Sequence, residues 1–414
     1  MTGPTAPFLR RVILRNYKSI KECDVSLGRL MFLVGPNGSG KSNFLDALRF
    51  VTESLRSTMD QALRERGGIK EVRRRSRGHP NHFSIELEMA LPGGEQASYG
   101  FRVGAKPQGG FEVQEEKCRI GGNGAPTSSY EVKDGVVQSA TFKPRPRAST
   151  DRLYLTIASG FPEFHPLFVS LSNMGFYSIN PERLRDLQEP DEGTLLLRDG
   201  RNLASVVAWL ESQSREVKER IEEYLGRIAP GVQRVDKKSL GHKETLEFKQ
   251  TVAGDGNPWS FLAQNMSDGT LRALGVLVSV FQCFDRLPET AIPLVGIEEP
   301  ESTIHPAAAR ILMGALQEAS NFAQVLVTSH SPDLLDATEP DPDSLLVVNA
   351  VDGETSVTPA DDAARTAMRD CLYTPGELLR MDQLRPRPKP MPDPAPDPAP
   401  DPGTECLPLF PDEP

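Results

Sequence analysis

A glycine-rich octapeptide near the N-terminus has the residue types and spacing to bind phosphate. Residues 35–42 read Gly-Pro-Asn-Gly-Ser-Gly-Lys-Ser, between an apolar run at 30–34 and a helical pattern at 43–55. Glycines let consecutive backbone N–H groups converge on one anion, and the following helix adds its positive dipole end. In this spacing the lysine reaches the β- and γ-phosphates and the serine hydroxyl ligates Mg²⁺. The predicted triphosphate site comprises Gly35, Pro36, Asn37, Gly38, Ser39, Gly40, Lys41, Ser42 and Asn43.

Several acidic residues directly follow a second apolar run. Residues 292–297 are mostly apolar and are followed by Glu298-Glu299-Pro300-Glu301. The carboxyl end of a buried strand is where ligands bind in a parallel α/β sheet. We predict that Glu298 holds the metal and that Glu299 orients or deprotonates the attacking water. A solvated acidic turn is the alternative, and Glu301 is predicted to be structural or to lie at a dimer contact.

His330 follows a third apolar run, at residues 324–328. A histidine at the end of that strand can donate a hydrogen bond to the γ-phosphate, although a lone loop histidine is more often structural. By contrast, His305 precedes a proline, and this pair predicts the start of a helix. The arrangement favours a catalytic role for His330 and a capping role for His305.

A polar turn at residues 267–270, Ser-Asp-Gly-Thr, precedes the apolar segment 271–284. Ser267 or Asp268 could simply cap the helix. The turn could also present a hydroxyl, N–H groups and a helix N-terminus to phosphate. The residues alone favour the cap.

The predicted strands and helices that position these groups indicate an α/β fold. Buried apolar runs alternate with helical patterns after residue 267, which predicts a mixed or parallel sheet flanked by helices. Alternating apolar residues at 83–142 predict an antiparallel meander, and a Pro-rich end predicts a disordered tail. The predicted segments are 1–55, the first lobe with the loop; 56–170, a basic linker and the meander insertion; 171–262, a helical and strand lobe; 263–384, the second lobe; and 385–414, the tail.

Composition excludes several classes of protein. The 47 basic and 57 acidic residues give a net charge of −10, which disfavours a whole surface that binds nucleic acid or anionic membrane. No apolar signal follows Met1, and the apolar segment 271–284 is shorter than the roughly 20 residues that span a bilayer. The five scattered cysteines fit a reduced compartment. We therefore expect a cytoplasmic protein without a membrane partner.

The order of these motifs resembles the head of ABC-type ATPases, which are P-loop NTPases. Residues 35–42 match the Walker A loop, 267–270 the signature, Glu298-Glu299 the Walker B end and His330 the switch histidine. The opening Asn-Tyr-Lys-Ser-Ile at 16–20 resembles the SMC/RecF branch, which serves DNA maintenance. The meander and the late Gly-Glu-Leu-Leu at 376–379 resemble stand-alone AAA-type predicted ATPases, and the resemblance covers about residues 8–384.

This resemblance implies a homodimer that holds two ATP molecules with Mg²⁺ between its heads. Ser267, Asp268 and Gly269 would contact the partner's ATP, while Lys41, Glu299 and His330 would be catalytic. The sequence departs from the family in Glu298, where many relatives have Asp, and in the extra negative charge of Asp268. Candidates for the lid-loop glutamine are Gln188 and Asn180, and Tyr17 is predicted either to stack on adenine or to pack inside the first sheet.

Two functions remain open at this point. The first is an ATPase acting on double-stranded DNA in repair or anti-phage defence, with Arg73, Arg74, Arg75 and Arg77 on the phosphates, although a basic run is more often a solvated face. The second is an ATP-dependent scaffold that controls a separately encoded effector such as a nuclease. Residues 405–410 also resemble peptides that dock on the bacterial sliding clamp.

Overall fold

The computed structural model describes residues 7–387 except 76–79, 122–126, 253–256, 285 and 338–340. Residues 388–414 of the predicted disordered tail, with the peptide that resembles clamp-docking sequences, and Arg77 lie outside these residues. The first three residues of that predicted tail are described, and Pro386 forms an isolated bridge with Ala360. Within them the strands are β1 Leu9–Tyr17, β2 Ile20–Ser26, β3 Leu30–Val34, β4 His82–Ala90, β5 Gln96–Ala105, β6 Phe111–Gly121, β7 Ser128–Lys133, β8 Val136–Ala140, β9 Gly175–Tyr177, β10 Val232–Leu240, β11 Lys243–Gln250, β12 Trp259–Leu262, β13 Leu294–Glu298, β14 Gln324–Ser329, β15 Leu345–Val351 and β16 Glu354–Pro359. The α-helices are α1 Lys41–Arg56, α2 Met59–Arg64, α3 Ile69–Val72, α4 Leu155–Ala158, α5 His165–Ser172, α6 Pro181–Arg185, α7 Leu203–Gln213, α8 Arg215–Ile228, α9 Asp268–Phe281, α10 Ala309–Ala319, α11 Pro332–Leu335, α12 Asp362–Arg369 and α13 Pro375–Arg380.

One large mixed sheet organises the molecule. Its strand order is β8-β7-β6-β5-β4-β1-β2-β16-β15-β3-β14-β13-β9. The five strands from β15 to β9 are mutually parallel, and every adjacent pair from β8 to β2 is antiparallel. Between these two parts, β16 is parallel to β2 and antiparallel to β15. A smaller antiparallel sheet, β10-β11-β12, lies apart. The predicted mixed α/β fold is confirmed.

The central strands are apolar on both faces because both faces are covered. In β3, Met31 and Leu33 belong to the hydrophobic cluster that contains α1 and the meander. Phe32 and Val34 belong to the opposite cluster, with helices α7 to α10. A strand buried on both sides reads as a continuous apolar run, which is why the pattern at 30–34 shows no alternation.

The predicted antiparallel meander is confirmed, and it forms strands β4 to β8. It extends the main sheet, because β4 pairs with β1 along nearly its full length, including Val12 with Leu87 and Leu14 with Ile85. Alternation predicts strands in this region, but it does not indicate which strand of the main sheet they pair with.

Across the described residues, no helix combines the length and apolar character needed to cross a bilayer.

A buried carboxylate ties the meander to the helices that follow it. Glu116 of β6 is 1% exposed. Its Oε1 accepts hydrogen bonds from the hydroxyls of Tyr99 at 3.2 Å and Tyr130 at 2.7 Å and from the amide of Leu155 at 2.8 Å, while Oε2 accepts from the amide of Tyr154 at 2.5 Å. Burial raises the pKa of Glu116, whereas the four hydrogen-bond donors act to lower that pKa. The group therefore joins two sheet strands to the start of α4.

Replacing Glu116 by alanine should destabilise the fold strongly. The change leaves two buried hydroxyls and two buried amides without an acceptor, and each unpaired buried donor costs about 1–3 kcal/mol. We expect a loss of at least about 3 kcal/mol in the free energy of unfolding, measured by urea titration. The matched control is Glu115→Ala, because that neighbouring glutamate makes only partly exposed ion pairs with Arg102 and Lys117, of the kind worth at most about 1 kcal/mol. Equal losses in the two variants would contradict this role.

Candidate nucleotide site

The glycine-rich loop leaves the carboxyl end of a central parallel strand. Val34 ends β3 and pairs with Ser329 of β14 and Val347 of β15. Gly38 and Gly40 have φ of 78° and 102°, backbone conformations that L side chains rarely adopt. Helix α1 begins at Lys41, two residues before the start that the apolar pattern indicates, and its N-terminus opens onto the loop. The local geometry is that of an anion cradle.

Lys41 is folded into this loop. Its Nζ donates hydrogen bonds to the carbonyl oxygens of Gly35 at 2.8 Å and Pro36 at 3.0 Å. Burial lowers the pKa of Lys41, whereas the nearby Glu299 and Glu301 carboxylates act to raise that pKa. The ammonium group therefore lies inside the cradle, where a bound phosphate would compete with the two carbonyls.

A small polar network supports the loop from behind. The Thr355 hydroxyl donates to the carbonyl of Ser39 at 2.8 Å and lies 2.7 Å from the Ser19 hydroxyl. Asn43 Nδ2 in turn donates to Ser19 Oγ at 2.7 Å. A Cβ on Gly40 would lie 2.2 Å from Thr355 Oγ1, so only glycine fits there. Sequence reasoning missed Thr355, since nothing local marks a residue more than three hundred positions after the loop.

The acids and the histidine meet at the same edge of the sheet. Strand β13 lies parallel to β14, with Glu298 opposite Thr328, and the amide of Glu299 donates to the carbonyl of Thr328 at 3.0 Å. Glu299 has φ of 45°, a left-handed conformation that costs energy for a residue with a Cβ. His330 Nδ1 lies 3.2 Å from Glu299 Oε1, and both side chains are partly exposed. The structure therefore brings the two predicted catalytic groups into contact.

Glu298 has a partner that the sequence did not suggest. Arg198 Nη2 lies 2.7 Å from Glu298 Oε1, and the two residues are 100 positions apart. Among the described residues, no group of three or more His, Cys, Asp or Glu side chains is arranged to hold a metal ion. Mg²⁺ at nucleotides binds through one or two carboxylates or hydroxyls together with phosphate oxygens and water. The Ser42 hydroxyl and Glu298 fit that chemistry, with Arg198 competing for the carboxylate.

Glu301 is buried beneath this edge, in agreement with the structural alternative. Its Oε1 accepts a hydrogen bond from Ser329 Oγ at 2.5 Å, and its Oε2 has no partner among the described residues. Burial raises the pKa of Glu301. Arg272 of α9 donates from Nη2 to the main-chain oxygen of Glu299 at 3.0 Å. These contacts fix the turn that carries Glu299 and connect it to helix α9.

The Ser-Asp-Gly-Thr turn forms a separate concave surface. Ser267 caps α9, because its hydroxyl accepts from the amide of Thr270 at 3.2 Å, as the capping alternative requires. Asp268 forms an ion pair with Arg185 of α6. A cavity of about 560 Å³ lies here, lined by residues 267–270, Arg185, Thr303 and His305 among others and by no described residue of the loop at 35–43. His305 keeps its capping role, because its Nδ1 accepts from the amide of Ala307.

Three further predictions concern adenine and the lid loop. Tyr17 is fully buried and its hydroxyl donates to Asp46 Oδ2 at 2.8 Å, so it packs inside the fold and is not available to stack on a base. Gln188 is also buried, with Oε1 accepting from the amide of Ala204. The side chain of Asn180 caps α6. Both lid candidates therefore have structural roles in this conformation.

The arginines of the basic stretch are largely engaged. Arg74 pairs with Glu354 at 2.9 Å, next to the threonine that supports the loop. Arg73 donates to the carbonyl of Pro80, and Arg75 pairs with Glu71. Arg75 keeps a 71% exposed side chain and is the most accessible of these three. A DNA contact at this stretch stays a prediction, and Arg75 is its best candidate.

Comparison with known proteins gives three matches of different scope. The family described as "AAA domain, putative AbiEii toxin, Type IV TA system" matches residues 30–336. An OLD nuclease of Thermus scotoductus is 24% identical over 349 residues, which cover 79% of this chain and 60% of that protein. The DNA replication and repair protein RecF of Vibrio campbellii is 46% identical over 41 residues, 10% of this chain and 12% of RecF.

Solved structures show the same fold at low sequence identity. An Smc head bound to the C-terminal winged-helix domain of ScpA has a TM-score of 0.56 at 15% identity, covering 85% of this chain and 98% of the head. An Smc head with an extended coiled coil, bound to the ScpA C-terminal domain derived from Pyrococcus furiosus, has a TM-score of 0.54 at 14% identity, covering 89% and 100%.

The fold and the loop define a P-loop ATPase of the ABC type, of the SMC/RecF-like kind. The family match covers most of the chain, and the chain belongs to the AAA-domain family named above. It spans less than two thirds of the length of the OLD nuclease that it resembles.

Proposed function

We propose that this protein binds and hydrolyses ATP and that two copies close around two ATP molecules. The single observation that carries the proposal is the contact between Glu299 and His330, 3.2 Å apart, at the sheet edge from which the phosphate loop also emerges. An acid and an imidazole at the carboxyl ends of adjacent parallel strands are placed to act on one ligand bound at that edge. Family membership supports nucleotide binding.

Each residue has a distinct part in the proposed reaction. The amides of residues 35–42 and the Lys41 ammonium hold the β- and γ-phosphates, and their charge offsets the negative charge of the transferred group. Mg²⁺, held by Ser42 and Glu298, would neutralise phosphate oxygens. Glu299 orients the attacking water and accepts its proton, while His330 donates a hydrogen bond to the γ-phosphate.

Dimerisation would complete the site. The cavity at Ser267, Asp268 and Gly269 is separate from the loop of its own chain and offers a hydroxyl and a helix N-terminus to an anion. The phosphate that this turn would bind therefore belongs to the ATP held by the loop of a second copy. The same arrangement supports the proposal of homodimerisation on ATP binding.

The biological role that we propose is DNA repair or maintenance, or defence against phage DNA. The likeness to an OLD nuclease and to RecF supports it. The alternative is a regulatory scaffold in which the ATP-bound dimer controls a separate effector such as a nuclease. Measuring the ATPase rate with and without double-stranded DNA distinguishes them: stimulation supports the first role, whereas no stimulation together with co-purification of an effector supports the second.

A DNA contact at the basic stretch is tested best with Arg75→Ala. Each lost phosphate contact should reduce the slope of log affinity against log salt by about 1, with similar weakening for all DNA sequences. The control is Arg215→Ala, because Arg215 is also about 70% exposed and also pairs with a glutamate four residues away. If both variants keep the parent's salt slope in a fluorescence anisotropy titration, Arg75 does not contact DNA.

A further inference from the structure

The Asp268 side chain raises an electrostatic question about the turn at residues 267–270. A carboxylate beside a phosphate-binding turn repels the negative charge of a triphosphate. The structure offers a compensating charge from a distant part of the chain, because Arg185, the last residue of α6, pairs with Asp268 Oδ1. Arg185 Nη2 also donates to the main-chain oxygen of Met266 at 3.0 Å, one residue before the turn.

The position of Arg185 is open to a ligand. Its side chain is 33% exposed and Asp268 is 50% exposed, and both line the cavity of about 560 Å³ at the turn. Both contacts of Arg185 use Nη2, and a guanidinium has five N–H donors in a planar fork. The fork therefore retains donors for a second acceptor, and this geometry suits phosphate oxygens.

We propose that Arg185 is a phosphate-binding residue that acts across the dimer, held beside the turn by Asp268 and contacting the ATP of the partner subunit. This assignment rests on the proposed ATP-bound dimer and adds to it a residue outside the family motifs. In the free chain, Asp268 neutralises the arginine and fixes it near Ser267. In the dimer, the triphosphate, with several negative charges, outcompetes the single carboxylate for the guanidinium.

The proposal makes opposite predictions for the two members of the ion pair. Removing Arg185 takes away an attractive charge, so Arg185→Ala should weaken dimerisation. Neutralising Asp268 removes a repulsive charge and frees the arginine, so Asp268→Asn should leave dimerisation unchanged or strengthen it. A purely structural ion pair behaves differently, because loss of either partner removes the same interaction and has the same direction of effect.

The experiment uses the full chain with Glu299→Gln, so that ATP persists, and measures the dimer dissociation constant with Mg-ATP by sedimentation velocity. We expect Arg185→Ala to raise that constant at least tenfold, Arg185→Lys to raise it less, and Asp268→Asn not to raise it. Binding of a fluorescent ATP analogue to dilute, monomeric chain should be unchanged in all three, because each chain's own phosphate loop is intact. The control is Arg183→Ala, on the same helix with a 60% exposed side chain.

Two kinds of result would overturn the assignment. If Arg185→Ala dimerises like its parent, or if Arg185→Ala and Asp268→Asn weaken dimerisation equally, Arg185 is only a structural partner of Asp268. If the Glu299→Gln parent itself stays monomeric with ATP bound, the proposed dimer is wrong and the assignment falls with it. The parent protein thus separates failure of the proposed function from failure of this inference alone.

Discussion

Replacing Glu299 by glutamine is expected to slow ATP hydrolysis at least tenfold, a barrier increase of about 1.4 kcal/mol, and to leave ATP binding intact. Glutamine keeps the size of the side chain, and it can still hydrogen-bond to His330. It cannot accept a proton from the attacking water, so the loss falls on the chemical step. Single-turnover hydrolysis, with binding measured separately, checks both parts of the prediction.

A control variant shows whether the effect belongs to this position. Glu289 is exposed and precedes the same strand, so Glu289→Gln changes the same charge at a distance from the loop. We expect it to hydrolyse ATP at the parent rate. An unchanged rate in Glu299→Gln would show that another group handles the water.

Replacing Lys41 by alanine is expected to lower ATP affinity at least a hundredfold, about 2.7 kcal/mol, and to abolish measurable turnover. The ammonium group is the only lysine or arginine cation on the loop itself, and charge-assisted bonds to phosphate are among the stronger polar contacts. Titration of the chain with a fluorescent ATP analogue measures the change in affinity.

The matched control for that variant is Lys70→Ala. Lys70 is an exposed lysine of α3, outside the loop. The Lys70→Ala protein should therefore bind ATP with the affinity of the parent protein. Normal hydrolysis by Lys41→Ala would refute the assignment of residues 35–42 as the triphosphate cradle.

Contiguous motifs could be predicted from the sequence because their geometry is local. The run 30–42 contains a strand, a turn and a helix start, and each residue's role depends on its immediate neighbours. The same holds for Glu299 and His330, since each ends a buried apolar strand. Parallel strands place their carboxyl ends along one edge, which explains why the two side chains lie in contact.

Partners from distant segments could not be predicted. Arg198 is 100 residues from Glu298, Thr355 is 316 residues from Ser39, and Arg185 is more than 80 residues from Asp268. Such pairs depend on strand order and helix packing, and one sequence carries no local signal for either. The burial of Gln188 likewise depends on the fold and has no local signal in the sequence.

The basic stretch shows that a charge pattern does not reveal which of its side chains are buried. Arg66 lies seven residues before Arg73, and its side chain is only 3% exposed and pairs with Asp46 and Glu53 of α1. Arg74 likewise pairs with a glutamate beside the loop support. These cations form ion pairs with α1 and with the residue that precedes Thr355, both next to the phosphate loop. Only the fold shows which arginines are paired in this way and which are solvated.

In the proposed dimer, the terminal phosphate of ATP joins two copies of this chain. Sedimentation velocity of the Glu299→Gln protein at micromolar concentration, with and without Mg-ATP, tests it most directly. We expect a species of the chain mass, 45.5 kDa, without nucleotide and a species of twice that mass with Mg-ATP. A 45.5 kDa species carrying one bound ATP per chain would contradict it.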